Sequence, residues 1–357
     1  MHPSTAGSPG KHSLIRRMRG GRPHASRRQA RALAAQNRHF EAIALLSAAN
    51  RAARDAETEA LLVRLRHQAF TRVPRSGPST AWPPVLADPF PSVAGQPPEI
   101  TPSRLTTEIL GGALLHHGCL LVRRLVSESQ AMELVEDIDR SFQARRADSK
   151  PKSAAETRPW FVPFDPDPGY PPSQRRAPGA VLAAESPRSL FHIIDAYEQN
   201  QLIDAVEGYL GERPVISLNK CVLRHTAFLE PNNPTWHQDG AFLGAGVHSV
   251  DAWLSLSYCG GDTDTPGLEI LPRRLHQILD TGQELPATAV TRAQVDAVSG
   301  EAQVMRPLFA PGDGLLFDER FLHRTGIDPG MKGARRAIET WFFAPSSFPK
   351  NYVPIAL

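Results

Sequence analysis

From about residue 214 onward the chain is a succession of short segments with strand length and strand chemistry. VISLNKCVLRHTAF, SVDAWLSLSYCG, GLEILP, DGLLFD and RRAIETWFFAP are rich in β-branched and aromatic residues. Turn formers separate them: Pro231 to Pro234, Gly260 to Gly267, Gly312 to Gly314 and Pro329-Gly330. Many short strands joined by such turns must bury their apolar faces against one another, which favours a sandwich or a closed barrel. The segments ahead of them read as helices. The expected fold class is mainly β with flanking helices, a double-stranded β-helix of the jelly-roll or cupin-like kind, preceded by an N-terminal helical hairpin.

The front of the chain divides by composition. Residues 1–27 are rich in Gly, Pro, Ser, His and Arg and poor in apolar residues, so a disordered basic arm is expected. Residues 28–71 contain no Pro or Gly and are dense in Ala, Leu, Arg and Glu. Leu33, Phe40, Ile43, Ala44 and Ala48 fall near helical spacing, as do Leu61, Leu62, Leu65 and Phe70, which predicts two antiparallel helices with a break near Asn50 to Asp55. NRHFEAIALLSAA resembles the middle of a tetratricopeptide repeat, but one unit alone does not make an array. Residues 72–103 carry nine prolines and read as a linker. The remaining domain, 104–357, opens with a helix and the buried strand GCLLVRRLV. A helix from Ser127 to Ala144 follows, with Ser127 as its N-cap, and further helix is expected near 188–210. Residues 148–188, rich in Pro and Asp, read as a long functional loop.

Composition narrows the function classes. No apolar run reaches the roughly 18 residues of a membrane span, and no apolar region follows the basic N-terminus, so neither a span nor a secretory signal is expected. Cys119, Cys221 and Cys259 are widely spaced and odd in number. That argues against a disulfide framework or a zinc ribbon and for a reducing, cytoplasmic setting. The first 75 residues hold 15 Lys and Arg against 4 Asp and Glu, and the rest hold 25 against 33. Such a basic arm suits an acidic partner, or serves only as a solvated extension. With no aromatic interleaving and no nucleic-acid motif, nucleic acid is not the expected partner.

The chemistry sits in three places. Trp236-His237-Gln238-Asp239-Gly240 contains a His-x-Asp pair, His323 follows Gly312-Asp313-Gly314-Leu315-Leu316-Phe317-Asp318, and Arg335-Arg336 opens the next strand-like run. Residues two apart on a strand share a face, so His237 and Asp239 can bind one ion there. Two imidazoles and one carboxylate are the ligand set of the facial triad that holds Fe(II) and leaves positions open; Mn(II), Co(II), Ni(II) or Zn(II) also suit such donors. A structural zinc site would want a fourth protein ligand, and no cysteine lies beside these residues. A lone His-x-Asp is a coincidence in many chains. Its place in this ordered series is not.

Over about residues 104–345 the chain resembles the phytanoyl-CoA dioxygenase family of Fe(II)/2-oxoglutarate oxygenases. The resemblance is carried by GCLLVRRLV ahead of an amphipathic helix, WHQDG, VDAWLSLS, GLEILPRRLH, PGDGLLFDERFLHRT and RRAIETWFF. It implies that His237, Asp239 and His323 are the catalytic metal ligands, with Fe(II) as the metal and 2-oxoglutarate and O2 as co-substrates. It further implies that Arg335 pairs with the distal carboxylate of 2-oxoglutarate through its planar fork. Thr325 would support that carboxylate, and Trp253 would line the co-substrate pocket. Asn219, on the strand before the His-x-Asp pair, is the expected further contact with 2-oxoglutarate, ahead of Lys220. The implied reaction converts 2-oxoglutarate to succinate and CO2 and hydroxylates an unactivated C–H bond of a small or medium-sized metabolite. Halogenating relatives lack the carboxylate at the position of Asp239, so its presence points to hydroxylation; desaturation and ring closure stay open.

The family's Pro-Gly-Ser-His turn is replaced here by Pro272-Arg273-Arg274-Leu275-His276, a change that bears on loop shape more than on iron. His276 is read as a turn residue and Arg336 as structural. Glu339 is read as one half of an inward salt bridge, and Arg224 and His225 as ion-pair residues. Trp160, Phe161 and Phe164 are either a substrate lid or an apolar anchor for their loop. Two rival functions remain at this point: a cupin-like metal dioxygenase that does not use 2-oxoglutarate, and a non-catalytic jelly-roll binding or scaffold protein.

Overall fold

VISLNKCVLRHT forms the longest strand, β4 (Val215–Thr226), and its neighbours build the sheet that carries the site. The computed structural model describes residues 11–75, 82–148, 157–164, 179–226, 235–280 and 288–357. Within these, β1 (Glu99–Ile100), β2 (Cys119–Val122), β3 (Ala180–Leu182), β5 (Ser249–Ser255), β9 (Gly314–Phe317), β11 (Arg335–Phe343) and β12 (Pro354–Ala356) join β4 in an eight-stranded sheet. Its order is β1-β2-β9-β5-β11-β4-β12, with β3 paired to β4. Only β1–β2 is parallel; the other pairs are antiparallel. Two smaller antiparallel pairs stand apart from it: β7 (Gly267–Ile270) with β10 (His323–Gly326), and β6 (Cys259–Gly260) with β8 (Leu308–Phe309). The fold is therefore a mixed one, a large sheet with helices, rather than the mainly β one expected, because the helical first half contributes more residues than the short strands of the second.

The helices cover one face of that sheet. Helices α4 (Thr107–His117), α5 (Glu128–Asp148), α6 (Pro187–Gln199) and α7 (Leu202–Leu210) share the main core with the sheet through Leu110, Ile138, Ile194 and Val206. Ser127 caps α5 as expected: its Oγ accepts from Gln130 N at 3.2 Å while Gln130 Oε1 accepts from Ser127 N at 2.9 Å. Phe161 and Phe164 are buried in the same core and Trp160 packs against it, so all three anchor their loop. The rest of that Pro-rich stretch, 149–156 and 165–178, lies outside the described residues.

The N-terminal region departs from expectation in three respects. First, α1 spans Lys11–Ala35, so the disordered arm expected over residues 1–27 is corrected for residues 11–27; residues 1–10 lie outside the described ones. Arginine there was read as the charge of a solvated arm, yet it is also a strong helix former. Second, the hairpin of 28–71 is part of a three-helix unit: α1, α2 (His39–Ala52) and α3 (Ala56–Ala69). Asn37, at φ 64°, ends α1 in the left-handed region that asparagine tolerates. The break near Asn50 to Asp55 is present, with the Asp55 carboxylate accepting from Thr58 N at 2.9 Å to cap α3. Third, the described part of the Pro-rich linker is packed rather than free. Trp82 stacks on His248 with ring centroids 4.1 Å apart, Phe90 is buried, and β1 pairs with β2.

The three-helix unit is also fastened to the domain behind it. Arg66 donates to Ala356 O at 2.8 Å, the His67 ring bonds Pro354 O at 2.9 Å, and Arg188 pairs with buried Glu59 at 2.5 Å. On the surface Arg51 and Arg54 converge on Asp195 at 2.8 and 2.6 Å. Leu46 on α2 is fully buried in the core that the unit shares with the sheet. Leu46→Ala is expected to destabilise the whole chain by ~2–5 kcal/mol. Denaturant titration should show one transition moved to a lower midpoint, rather than an unchanged main transition with a small early step.

Candidate metal and co-substrate site

His237 and His323 face each other across an isolated antiparallel bridge, His237 N donating to His323 O at 3.0 Å and His323 N to His237 O at 3.1 Å. The two residues lie far apart in sequence, but this reciprocal pair fixes their rings 4.5 Å apart at the centroids. The strand expected to carry the His-x-Asp pair is corrected here. After His237 the backbone turns, Asp239 takes a right-handed helical conformation (φ −62°, ψ −30°), and a single helical turn, Gly240–Leu243, follows. The turn, not strand alternation, swings the Asp239 carboxylate back beside the ring, 3.7 Å from His237 Nε2. Gly240 permits it: a Cβ there would sit 2.5 Å from Ile278 Cδ1 and 3.0 Å from Glu319 O.

One ligand atom from each of His237, Asp239 and His323 lies within 4.8 Å of the others. Both rings are oriented by their second nitrogen. His237 Nδ1 bonds Thr235 O at 2.9 Å and His323 Nδ1 bonds Phe321 O at 3.1 Å. A carbonyl only accepts, so each Nδ1 carries the proton and each Nε2 presents a lone pair, the tautomer a metal ligand needs. Burial, reinforced by the His237 ring, pulls the His323 imidazole down to about 3, so it is neutral at ordinary pH. Burial pushes the Asp239 carboxyl up to about 6, against the pull of His237 and Lys220. A buried carboxylate in such a setting fits a cation, and two imidazoles and one carboxylate, with no fourth protein donor among the described residues, fit Fe(II).

Gln238, between two of these residues, is 1% exposed and fully engaged. Its Nε2 donates to Gln277 O at 3.2 Å and Arg320 O at 2.6 Å, and its Oε1 accepts from Leu279 N at 2.8 Å. These three bonds clamp the metal turn to the loop after β7 and to the loop before β10. Gln238→Leu should lower Fe(II) affinity by about 10–100-fold, the usual cost of losing support behind metal ligands. A metal titration with an unchanged far-ultraviolet dichroism spectrum is the readout; unaltered affinity would remove Gln238 from the site.

The triad opens on a cavity of about 280 Å3 between the large sheet and the β7–β10 pair. Register explains its lining. On β11 the odd positions Arg335, Glu339 and Trp341 face inward, with Glu339 opposite Trp253 and Trp341 opposite Asp251 on β5. On β4 the even positions Lys220, Arg224 and Thr226 face inward, Thr226 lying opposite Arg335. Arg335 is 4% exposed. Its Nη1 donates to Pro266 O at 3.3 Å and Gly267 O at 3.0 Å, and its guanidinium lies 5.5 Å from the Trp253 ring. Its Nε is buried without a hydrogen-bond partner among the described residues. An orphaned donor on a buried cation, in the same cavity as the triad, fits an incoming carboxylate. Thr325 and Leu268, paired across β10 and β7, line the same region.

Of the residues singled out in the sequence, His237, Asp239, His323, Thr325, Trp253 and Arg335 thus surround one cavity. Asn219 does not join them. It lies on the face of β4 opposite Lys220, where its Oδ1 accepts from Val353 N at 3.4 Å. Arg224 and Glu339 form a two-pronged pair, 3.0 and 2.9 Å, inside the cavity. Burial works to raise the Glu339 carboxyl, but Arg224 outweighs it and holds the group below the usual range. Arg336, on the opposite face, pairs with Asp139, and the His225 ring packs edge-on against Phe142. Arg274 of the altered turn is buried and ties the loop to Leu114 O and Asp318. His276 is not among the cavity residues; its carbonyl accepts from Arg320 at 2.6 Å. The sequence reading missed Phe242, Asp251 and Trp341.

Compared with protein-family models and with curated proteins, the sequence matches none. Among solved structures it is similar to EctD from S. alaskensis with 2-oxoglutarate and 5-hydroxyectoine, at 15% identity and a TM-score of 0.48 over 78% of this chain and 88% of that one. It is also similar to the epimerase SnoN in complex with Fe3+, alpha ketoglutarate and nogalamycin RO, at 17% identity and a TM-score of 0.44 over 66% and 83%. A third is EvdO2 from Micromonospora carbonacea var. aurantiaca complexed with 2-oxoglutarate, at 17% identity and a TM-score of 0.42 over 68% and 90%. These likenesses are distant.

Proposed function

We propose that this chain is an Fe(II)- and 2-oxoglutarate-dependent oxygenase, a hydroxylase acting on an unactivated C–H bond of a small or medium-sized molecule. One observation carries the reading: a His-Asp-His group with its ligand atoms within 4.8 Å shares a cavity with a buried arginine whose Nε has no partner among the described residues. The core is read as a double-stranded β-helix, with the large sheet as one wall and the β7–β10 pair part of the other. The motif series of residues 104–345 supports the phytanoyl-CoA dioxygenase family as the branch.

His237, Asp239 and His323 would hold the iron, which with bound 2-oxoglutarate and O2 supplies the oxidising chemistry. Overall, C–H, O2 and 2-oxoglutarate become C–OH, succinate and CO2. The chain's own residues do the rest. Arg335 offers Nε to the distal carboxylate, and Thr325 lies beside it. Trp253 and Phe317 wall the cavity with apolar surface, which thins water around the site and strengthens each charge contact. The two Nδ1–H bonds to Thr235 O and Phe321 O keep both rings facing the ion position while ligands exchange.

No helix among the described residues is long and apolar enough to cross a membrane. The acidic partner expected for the basic arm rests on the charge of residues 1–75 alone.

The test is succinate release. Protein given Fe(II), 2-oxoglutarate and O2 should release succinate and CO2, slowly without a prime substrate and faster with one. Iron binding without any 2-oxoglutarate consumption or binding would favour a cupin-like dioxygenase of other chemistry. Binding of neither would favour a scaffold.

A further inference from the structure

The cavity has two ends, and the oxygenase reading uses only one. Arg335 and Trp341 are six residues apart on β11, roughly 20 Å at ~3.3 Å per residue. Arg335, Thr325 and Leu268 therefore define one end, while Lys220, Phe242, Asp251 and Trp341 define the other. The charged pair between them, Arg224 with Glu339, neutralises itself. Asp239 is given to the metal and Arg335 to the co-substrate. Two charged side chains are left, both at the second end.

Lys220 is held between two aromatic faces, its Nζ 4.3 Å from the Phe242 centroid and 4.2 Å from the Trp341 centroid. The two rings lie nearly parallel, 5.7 Å apart. The rings fix the ammonium without cancelling its charge, and among the described residues no carboxylate pairs with it. Asp251 is 6% exposed and faces Trp341 across the β5–β11 pair. Its Oδ1 and the Trp341 Nε1 are both buried without hydrogen-bond partners among the described residues. Burial, with repulsion from Asp239 and Glu339, raises the Asp251 carboxyl well above the usual carboxylate range, and Lys220 and the Trp341 indole work against that rise. A buried acceptor and a buried donor left open beside a cation that no carboxylate among the described residues hydrogen-bonds are costly unless a ligand completes them.

We infer that this end of the cavity binds a small zwitterion, an α-amino acid or a close relative, with its carboxylate on Lys220 and Trp341 Nε1 and its ammonium on Asp251. This rests on the oxygenase reading and names the class of its prime substrate. Opposite charges on the ligand leave the second end neutral as a whole, which neither a simple carboxylate nor a simple amine does. Size agrees: ligand cavities commonly run to ~300–1,000 Å3, and this one, at about 280 Å3, must also admit the co-substrate. The Trp341 edge that carries Nε1 would border the ligand beside Lys220.

The test uses the full chain loaded anaerobically with Fe(II) and 2-oxoglutarate. Calorimetric titration of the twenty common amino acids, followed for each binder by its carboxamide and its N-acetyl derivative, reads the two charges separately. The free amino acid should bind at least about tenfold more tightly than either derivative. Lys220→Met should erase the preference over the carboxamide and keep that over the N-acetyl form; Asp251→Asn should do the reverse. Equal binding of the three forms by the wild-type protein overturns the inference, whether or not the variants fold. Uptake of 2-oxoglutarate with no amino acid bound overturns it alone, and failure to take up 2-oxoglutarate overturns the oxygenase reading with it.

Discussion

His323→Ala should abolish 2-oxoglutarate turnover and weaken Fe(II) binding by more than the ~10–100-fold that follows loss of a mere supporting contact. The ring is one of three donors whose ligand atoms lie within 4.8 Å, and its removal leaves a bidentate site. The backbone should tolerate the change. The bridge to His237 is made by main-chain N–H and C=O groups, which alanine retains, and the β10–β7 pairing is likewise main-chain. The void joins the cavity on one side and on the other meets the Phe317 ring, whose centroid lies 4.7 Å from that of the imidazole. A modest loss of stability is therefore expected together with a complete loss of activity. Succinate release and a metal titration decide it, with thermal unfolding as the control. Retained turnover at a tenth of the wild-type rate or more would sink the metal assignment, since no other histidine among the cavity residues can replace His323.

How much of this was legible beforehand follows the range of the interactions. The strands of the second half announce themselves through local composition and turn residues, and β4, β5, β7, β9 and β11 fall within the segments read from sequence. The triad was legible because His237-x-Asp239 is local and His323 sits in a recognisable run, although the turn at Asp239 rather than a strand brings the pair together. The second end of the cavity was not legible. Lys220, Asp251 and Trp341 come from three strands, and only the register Trp341↔Asp251 and the phase of β4 make them neighbours. A one-residue error of phase moves every side chain to the other face, and Asn219, preferred from sequence as a contact of 2-oxoglutarate, lies on the face away from the cavity. Counting back by twos from Thr226, the partner of Arg335, leads to Arg224 and Lys220 and would have avoided it. At the N-terminus, charge and proline were taken as signs of disorder and of a tether. Helix propensity in α1 and tertiary packing of Trp82 and Phe90 prevailed instead.

Arg335→Gln should raise the KM for 2-oxoglutarate by between roughly thirtyfold and a few thousandfold, corresponding to the ~2–5 kcal/mol lost when one partner of a buried, hydrogen-bonded charge pair is truncated. The guanidinium is buried, and burial works against its charge, so an unmatched cation is held there at a cost that a carboxylate would offset. Nη1 is committed to Pro266 O and Gly267 O, which fixes the plane of the fork over Trp253 and leaves the Nε edge for the ligand. Arg335→Lys should recover only part of the affinity, because a lysine keeps the charge but cannot both anchor to those carbonyls and present a planar edge. A structural role alone would also raise KM by loosening β11, so the decisive comparison uses a second co-substrate. 2-Oxobutyrate carries the same 2-oxoacid head and no distal carboxylate. Wild-type protein should prefer 2-oxoglutarate to it by a wide margin; in Arg335→Gln the preference should collapse while use of 2-oxobutyrate and the affinity for Fe(II) stay near wild type. A parallel loss for both co-acids would mean that Arg335 shapes the cavity without reading the carboxylate. The preference collapses only if the cation and the open Nε are there for the far end of the 2-oxoacid, and that would tie a single side chain to the choice of co-substrate.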